Sequence, residues 1–251
     1  MKEVRPVIKF IEDYFKRAGR RAAIVGLSGG LDSAVTVVLC SQALGPRHVY
    51  PVYLPYQPLA KFHDLVNIKK VLKLAKIPEK HLISEDITNP TNAFKKKHPK
   101  ISKIDLGNKM ARERMSLLYY HARRLKGLVV GTSNRTERLL GYFTLHGDGA
   151  WDLAPIAHLY KSEIRQLAKK LNLPEAIIAA PPTAGLWPGQ TDEAELGFTY
   201  EQADKVLRQF IDQKKPAKQI EKSNLPAKTI SRILKRHRLH RFRLQSPVKI
   251  G

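Results

Sequence analysis

Cysteine is almost missing: Cys40 is the only one in 251 residues. One thiol excludes a disulfide framework, a cysteine-rich zinc site and a two-cysteine sulfur relay. Cys40 falls on the apolar side of an expected helix and reads as core. Acidic residues are also scarce. Asp and Glu number 22 against 45 Lys and Arg, a formal net charge of +23. Such an excess draws polyanions, whether nucleic acid, anionic membrane or phosphate-rich small molecules. It also suits a solvated or thermostable surface. No apolar run approaches the roughly 20 residues of a membrane span. The first residues carry Glu12 and Asp13 and lack a signal-peptide core, so a cytoplasmic protein without membrane contact is expected. Internal repeats and low-complexity tracts are absent. Hydrophobic residues make up 43% of the chain, ample for a core.

Against these absences, one stretch stands out: Ile24-Val-Gly-Leu-Ser-Gly-Gly-Leu-Asp-Ser33. Ala22 to Val25 reads as a buried parallel strand. After Gly26 and Leu27 comes a tight turn, Ser28, Gly29 and Gly30, and past Leu31 a helix opens at Asp32 and Ser33. Glycines permit positive φ and keep Cβ atoms away from a ligand. Amides of the turn and of the first helical turn form a ring of donors at the positive end of a helix dipole, a phosphate site. A Walker A loop would carry a lysine here; this chain carries Asp32. An acid beside phosphates makes sense with magnesium between them, since magnesium takes carboxylate and phosphate oxygens together.

Further along, strands and helices alternate. Val49–Leu54, His81–Ile87 and Leu128–Gly131 read as strands. The N-terminal residues up to Gly19, Leu65–Lys76 and Gly107–Lys126 read as helices. The polar, basic stretch Thr88–Leu106 reads as a mobile loop, with Lys95–Lys100 a candidate lid. This order predicts an α/β fold, a doubly wound parallel sheet whose ligands bind beyond the carboxyl ends of the strands, where Ser28 and Thr132 fall. After residue 150 strands fade into a C-terminal helical extension. Leu159–Leu171, Tyr200–Gln213 and Pro226–His237 read as helices, and Pro181–Gly197 as a loop and second lid. No linker divides the chain, so residues 1–251 are expected to form one domain. The basic residues thicken again from Lys228 to Lys249.

Several motifs together resemble the ammonia-dependent NAD synthetases of the PP-loop ATP-pyrophosphatase superfamily. Ser28-Gly-Gly-Leu-Asp-Ser33 is similar to the superfamily signature. Gly107-Asn-Lys-Met-Ala-Arg-Glu-Arg-Met115, Gly131-Thr-Ser-Asn-Arg-Thr-Glu137, Leu140-Gly-Tyr-Phe-Thr144, Gly147-Asp-Gly-Ala150, Leu159-Tyr-Lys161, Pro181-Pro-Thr-Ala-Gly-Leu-Trp187 and Gly189-Gln-Thr-Asp-Glu193 are family-specific. The resemblance is dense over 24–33 and 107–197 and looser elsewhere. It implies an adenine-nucleotide α-hydrolase-like, Rossmann-like fold. It implies ATP-dependent adenylation of the carboxylate of deamido-NAD, then displacement of AMP by ammonia. By the same resemblance, Gly26 to Ser33, Thr132, Lys161 and Thr183 bind ATP. Asp32 and Glu137 hold Mg2+, and Asp32, Glu137 and Lys161 form the catalytic set. Arg112, Asp152, His240 and Arg241 contact deamido-NAD. Thr183 replaces a serine, Arg241 replaces a lysine with a planar fork, and Leu145 stands where a lysine is common. A homodimer is implied as well.

Two rivals compete. A PP-loop tRNA-modifying adenylating enzyme would explain the loop and the charge, but not the run 131–193. A non-catalytic nucleotide or nucleic-acid module would not need Asp32, Glu137 and Lys161 together. On the resemblance, nucleic-acid binding is incidental. No glutaminase segment with its nucleophilic cysteine is apparent, so ammonia must come free or from a partner. Purified protein is therefore expected to make NAD from deamido-NAD with ammonium and none with glutamine alone. Robust glutamine use in a coupled NAD assay would contradict this.

Overall fold

The computed structural model describes residues 4–60, 62–220 and 225–244. The end of the basic tail, residues 245–249, and the first three residues of the N-terminal helix stretch lie outside them. Helix α1 (Val4–Arg17) leads into β1 (Ala23–Gly26), α2 (Leu31–Leu44), β2 (Val49–Tyr53), α3 (Phe62–Leu74), β3 (Ile83–Ser84), α4 (Thr88–Lys97), α5 (Lys103–Arg124) and β4 (Leu128–Val130). Beyond β4 the elements of the described residues are helices joined by loops, apart from a single bridge of Leu153 to Val130: α6 (Arg135–Leu140), α7 (Lys161–Lys170), α8 (Glu175–Ile178), α9 (Asp192–Leu196), α10 (Tyr200–Leu207) with a π-helical turn over Arg208–Asp212, α11 (Ala217–Ile220) and α12 (Ala227–His240).

The four strands are parallel and lie in the order β3-β2-β1-β4. Successive residues of β1 point to opposite faces, as strand geometry requires. Ala23 and Val25 join a core with α1, α2, α3 and α7 on one face; Ile24 packs with Val52, Met110 and Ala122 on the other. Both faces are covered, so the strands are apolar throughout. A third core, from Leu140 and Tyr160 to Leu234, ties the C-terminal helices together. The chain leaves β1 toward β2 and β3, then returns to β4 on the other side. The switch point lies between β1 and β4, where such sheets open a crevice.

The sequence reading needs correction at Thr88–Leu106. It is not a loop: α4 occupies Thr88–Lys97 and α5 begins at Lys103. Asp86 Oδ1 accepts from the Thr88 amide at 2.7 Å, Thr91 is fully buried, and the Tyr56 hydroxyl donates to Asn92 Oδ1 at 2.9 Å. The one buried side chain of the helix, Thr91, is polar, which hides the helix from an apolar pattern. Lys95, Lys96 and Lys97 lie in its last turn, where cations suit the helix dipole. That places half of the expected basic lid in regular structure. The third strand is also shorter than His81–Ile87, because β3 pairs with β2 over only two residues. The loop after Pro181 contains α9, capped by Thr191.

Gly127 joins α5 to β4 and sets the β1–β4 register. A Cβ there would lie 2.3 Å from the Ala22 carbonyl oxygen, which itself accepts from the Leu128 amide at 2.9 Å. Gly127→Ala is expected to cost about 1–3 kcal/mol by overpacking against backbone. A urea midpoint unchanged from wild type would show that this junction yields freely.

Candidate active site

The phosphate turn is built by local chemistry. The Leu27 amide donates to Val52 O at 2.9 Å, carrying the sheet pairing one residue past β1. Gly29 takes φ +86°, and a Cβ on it would sit 3.0 Å from Asp64 O. Only glycine suits both demands. Ser28 Oγ accepts from the Gly30 amide at 3.3 Å and lies 3.4 Å from Ser33 Oγ, which donates to Gly30 O at 3.0 Å. Gly30 caps α2 without a side chain, so no cap covers the first amides of the helix. Such uncapped first-turn amides lie at the positive end of a helix dipole.

Across the switch point, Asn134 begins α6. Its side chain accepts from the Glu137 amide at 3.0 Å, and Glu137 Oε2 accepts from the Asn134 amide at 3.4 Å, a reciprocal capping box. The Asn134 amide group also donates to Asp32 Oδ1 at 3.1 Å. Lys161 opens α7, and its backbone amide donates to Thr136 Oγ1 at 3.0 Å. Its ammonium bonds Asp32 Oδ2 and reaches Glu137 Oε1 at 3.3 Å. The Tyr200 ring lies 5.0 Å from the same nitrogen. Asp32, Glu137 and Lys161 therefore meet at one point, drawn from the ends of β1 and β4 and from α7. Glu137 does two jobs: one oxygen caps a helix and the other faces the cation.

Lys161 is 4% exposed. Burial alone would lower its pKa, but Asp32 and Glu137 outweigh burial and raise it, so the ammonium stays charged. Burial raises the Glu137 carboxyl, against the pull of Lys161 and with help from Asp32 and Asp192. The loop containing Thr183 is tied to this cluster through Asp192. Asp192 accepts from the Ala184 amide (3.1 Å), the Tyr142 hydroxyl (3.2 Å) and the Tyr200 hydroxyl (3.0 Å).

Asp32 and Glu137 suit magnesium. Each aims an oxygen at a point already held by a cation, and magnesium commonly takes one or two carboxylates together with phosphates. Among the described residues no group of three or more His, Cys, Asp or Glu could hold a metal by itself. A magnesium ion held by these two carboxylates would need further oxygen ligands from a bound phosphate or from water.

The profile of the NAD synthase family matches residues 3–247. The chain belongs to that family. It is 38% identical over 244 residues to an NH(3)-dependent NAD(+) synthetase of Methanosarcina mazei, covering 96% of this chain and 94% of that one. It is 41% identical over 232 residues to the enzyme of the same description from Methanocaldococcus jannaschii, covering 91% and 88%. Solved structures resemble it too. An NMN synthetase from Francisella tularensis superposes with TM-score 0.85 at 29% identity, covering 100% of this chain and 98% of that one. An NH3-dependent NAD synthetase from Campylobacter jejuni superposes with TM-score 0.82 at 30% identity and the same coverage.

Within this member of the family the other candidate residues scatter. Thr132 is half-buried, two residues past the end of β4. The Thr183 hydroxyl is engaged within its own loop, donating to Gln190 O at 2.8 Å and accepting from the Gly185 amide at 3.0 Å. Arg112 projects from α5 and donates to Leu145 O at 3.3 and 3.2 Å. Asp152 bonds the edge of β4, its Oδ2 accepting from the Val129 amide at 2.7 Å, while its carbonyl accepts from the Tyr14 hydroxyl at 2.8 Å. His240 packs against Gly141 near Arg236 and Arg243; burial and then those cations lower its pKa. Arg241 is exposed just beyond α12. The sequence reading did not single out Asn134, Thr136, Asp192, Tyr200 or Asp204. For Asn134 the signal was available, since Asn-x-x-Glu is a capping-box pattern.

Removing the ammonium would leave the carboxylates facing each other. Lys161→Met is expected to lower stability by about 3–5 kcal/mol, the cost of stripping a buried charge of its partner. The loss should be smaller near pH 5 than near pH 8. A raised native Glu137 pKa means the folded state holds that proton more tightly, so stability falls as pH rises through it. Added magnesium should recover part of the loss in a thermal melt. No recovery would mean that Asp32 and Glu137 do not share a cation.

Proposed function

We propose that this chain converts deamido-NAD to NAD with ammonia and ATP at the crevice between β1 and β4. The observation that carries this reading is the meeting of Lys161 with Asp32 and Glu137 beside a capless helix N-terminus. Membership of the NAD synthase family supports it, as do the NH(3)-dependent NAD(+) synthetases among its relatives.

ATP enters with its phosphates against the amides of Ser28 to Ser33 and its adenosine side toward Thr132. A carboxylate oxygen of the nicotinate attacks the α-phosphorus, the bond to the bridging oxygen breaks, and pyrophosphate leaves. Ammonia then attacks the activated carbonyl carbon, AMP departs, and a proton is lost from nitrogen as the amide forms. Neither step demands a strong acid or base from the protein. What is required is placement and charge stabilisation. Lys161 supplies positive charge for the phosphoryl oxygens. Asp32 and Glu137 would hold Mg2+, which would supply positive charge to offset that of the phosphates. Thr183 and its loop, anchored by Asp192, cover the adenylate and keep water from hydrolysing it. Arg112, Asp152, His240 and Arg241 are assigned to the dinucleotide.

The same proposal holds that residues 1–251 act as one unit, that the chain is a homodimer, and that it works in the cytoplasm beside its ATP. No described helix is long and apolar enough to cross a membrane. A tRNA-modifying role gains no support from a family match that runs through nearly the whole chain.

The direct test mixes protein, Mg-ATP, deamido-NAD and ammonium and follows NAD and AMP. Equal amounts of both are expected, and Lys161→Ala should lower kcat about 10²- to 10³-fold, on the scale of losing one charge-stabilising donor. Because one structural neighbour is an NMN synthetase, a parallel arm offers nicotinate mononucleotide, and deamido-NAD should be the faster substrate. Preference for the mononucleotide would move the substrate assignment. AMP formed with tRNA and not with either nucleotide would overturn the reaction.

A further inference from the structure

Lys161 and Glu137 each have a neighbour one residue away that binds a single buried carboxylate. Asp204, on α10, is 3% exposed. Its Oδ1 accepts from the Thr136 hydroxyl, and its Oδ2 accepts from the Ser162 amide at 2.8 Å. Thr136 Oγ1 in turn accepts from the Lys161 amide at 3.0 Å. The chain of contacts runs from α6 through Asp204 to the first turn of α7, with Thr136 closing the ring.

The placement on α10 is specific. Asp204 follows Tyr200 by four residues, so both lie on one helix face. Tyr200 sets its ring 5.0 Å from the Lys161 ammonium, while Asp204 holds the backbone of the same residue's turn. Burial raises the Asp204 carboxyl, and its bonds to Thr136 and Ser162 oppose that shift. The first turn of α7 adds the positive end of a helix dipole. A buried carboxylate so fully engaged is costly to keep unless it fixes something.

We propose that Asp204 is a positioning residue for the amidation assigned above: through Thr136 and Ser162 it sets the reach between Lys161 and Glu137. The inference rests on that functional reading only for its kinetic readout. A misplacement of about 1 Å can cost about 10²-fold in rate. Asparagine at 204 cannot satisfy both donors, because one of its two terminal atoms is itself a donor. Valine at 136 keeps the shape and loses both hydroxyl bonds, whereas serine keeps them.

The test compares wild type, Asp204→Asn, Thr136→Val, Thr136→Ser, Lys161→Ala and Lys161→Ala/Asp204→Asn, each shown by thermal melt to be folded at the assay temperature. Asp204→Asn and Thr136→Val should lower kcat about 10²-fold, with the KM for ATP changed less than about threefold. Thr136→Ser should stay within about threefold of wild type. In the Lys161→Ala background, Asp204→Asn should cost no further rate, because the group it positions is gone. Acetylation of Lys161 by acetic anhydride, followed by mass spectrometry, needs no substrate. It should speed about tenfold or more in Asp204→Asn and Thr136→Val and not in Thr136→Ser. Losses that multiply with Lys161→Ala would overturn the proposal. So would a Thr136→Ser enzyme as slow as Thr136→Val, or unchanged Lys161 labelling. If Asp204→Asn fails to fold, the two Thr136 variants decide alone. A wild type that makes no AMP, with labelling as expected, would sink the amidation reading and leave the positioning role standing.

Discussion

A single ammonium held by two carboxylates organises this protein. Asp32 and Lys161 are 129 residues apart in sequence, and Glu137 lies 24 residues from Lys161. Bringing them together fixes the end of β1, the start of α6 and the start of α7 relative to one another. Each charge is expensive to bury alone. Together they offset one another, helped by the Asn134 amide on Asp32 and by the helix N-terminus behind it. The surrounding structure keeps that arrangement affordable: a capping box at Asn134, an aromatic ring at Tyr200, and a carboxylate at Asp204 beneath.

The arrangement also resolves why an acid stands beside a phosphate nest. The turn of Ser28 to Ser33 offers amides to anions, yet Asp32 is an anion at its edge. Taken locally, the two conflict. The conflict ends once a cation sits between acid and phosphate. Lys161 already meets Asp32 there, and magnesium would suit the same oxygens. In the proposed reaction either cation would favour bound polyphosphate and offset the charge that grows on the leaving pyrophosphate.

What was legible in the sequence was local. Ala22–Val25 and Leu128–Gly131 are short apolar runs bounded by glycine, and a buried parallel strand leaves little else to infer. The Ser-Gly-Gly turn followed from backbone demands of its own residues. Helix α4 was not legible, since its one buried side chain is Thr91 and no apolar stripe marks it. The supports of the site were hidden for another reason. Asp204 meets Thr136 and Ser162 across 68 and 42 residues, and an acid on an amphipathic helix looks like solvent-facing charge until its partners are placed. Asp192 has the same history, because its tyrosine partners come from two different segments. Pairings of this kind depend on topology, which sequence periodicity does not encode.

Part of the large positive charge finds a use at the far end of α6. This six-residue helix carries Glu137 near its N-terminus, and its C-terminal carbonyls need partners. The basic helix α12 provides them. Arg236 donates to Leu140 O at 3.1 Å, His237 Nδ1 lies 2.8 Å from Leu139 O, and Arg243 donates to Gly141 O at 3.2 Å and Phe143 O at 3.0 Å. Cations at a helix C-terminus also complement its dipole. Gly141 ends the helix at φ +61°, and a Cβ there would lie 2.3 Å from His240 Cβ, so α12 packs directly on the turn. A helix too short to be stable alone is thereby held at both ends. Its N-terminus is held by Asn134 and Asp204 through Thr136, its C-terminus by three basic residues of the C-terminal segment. Cations that composition alone would assign to a nucleic-acid surface thus help set the position of Glu137, which makes the C-terminal segment part of the site's support as well as of its charge.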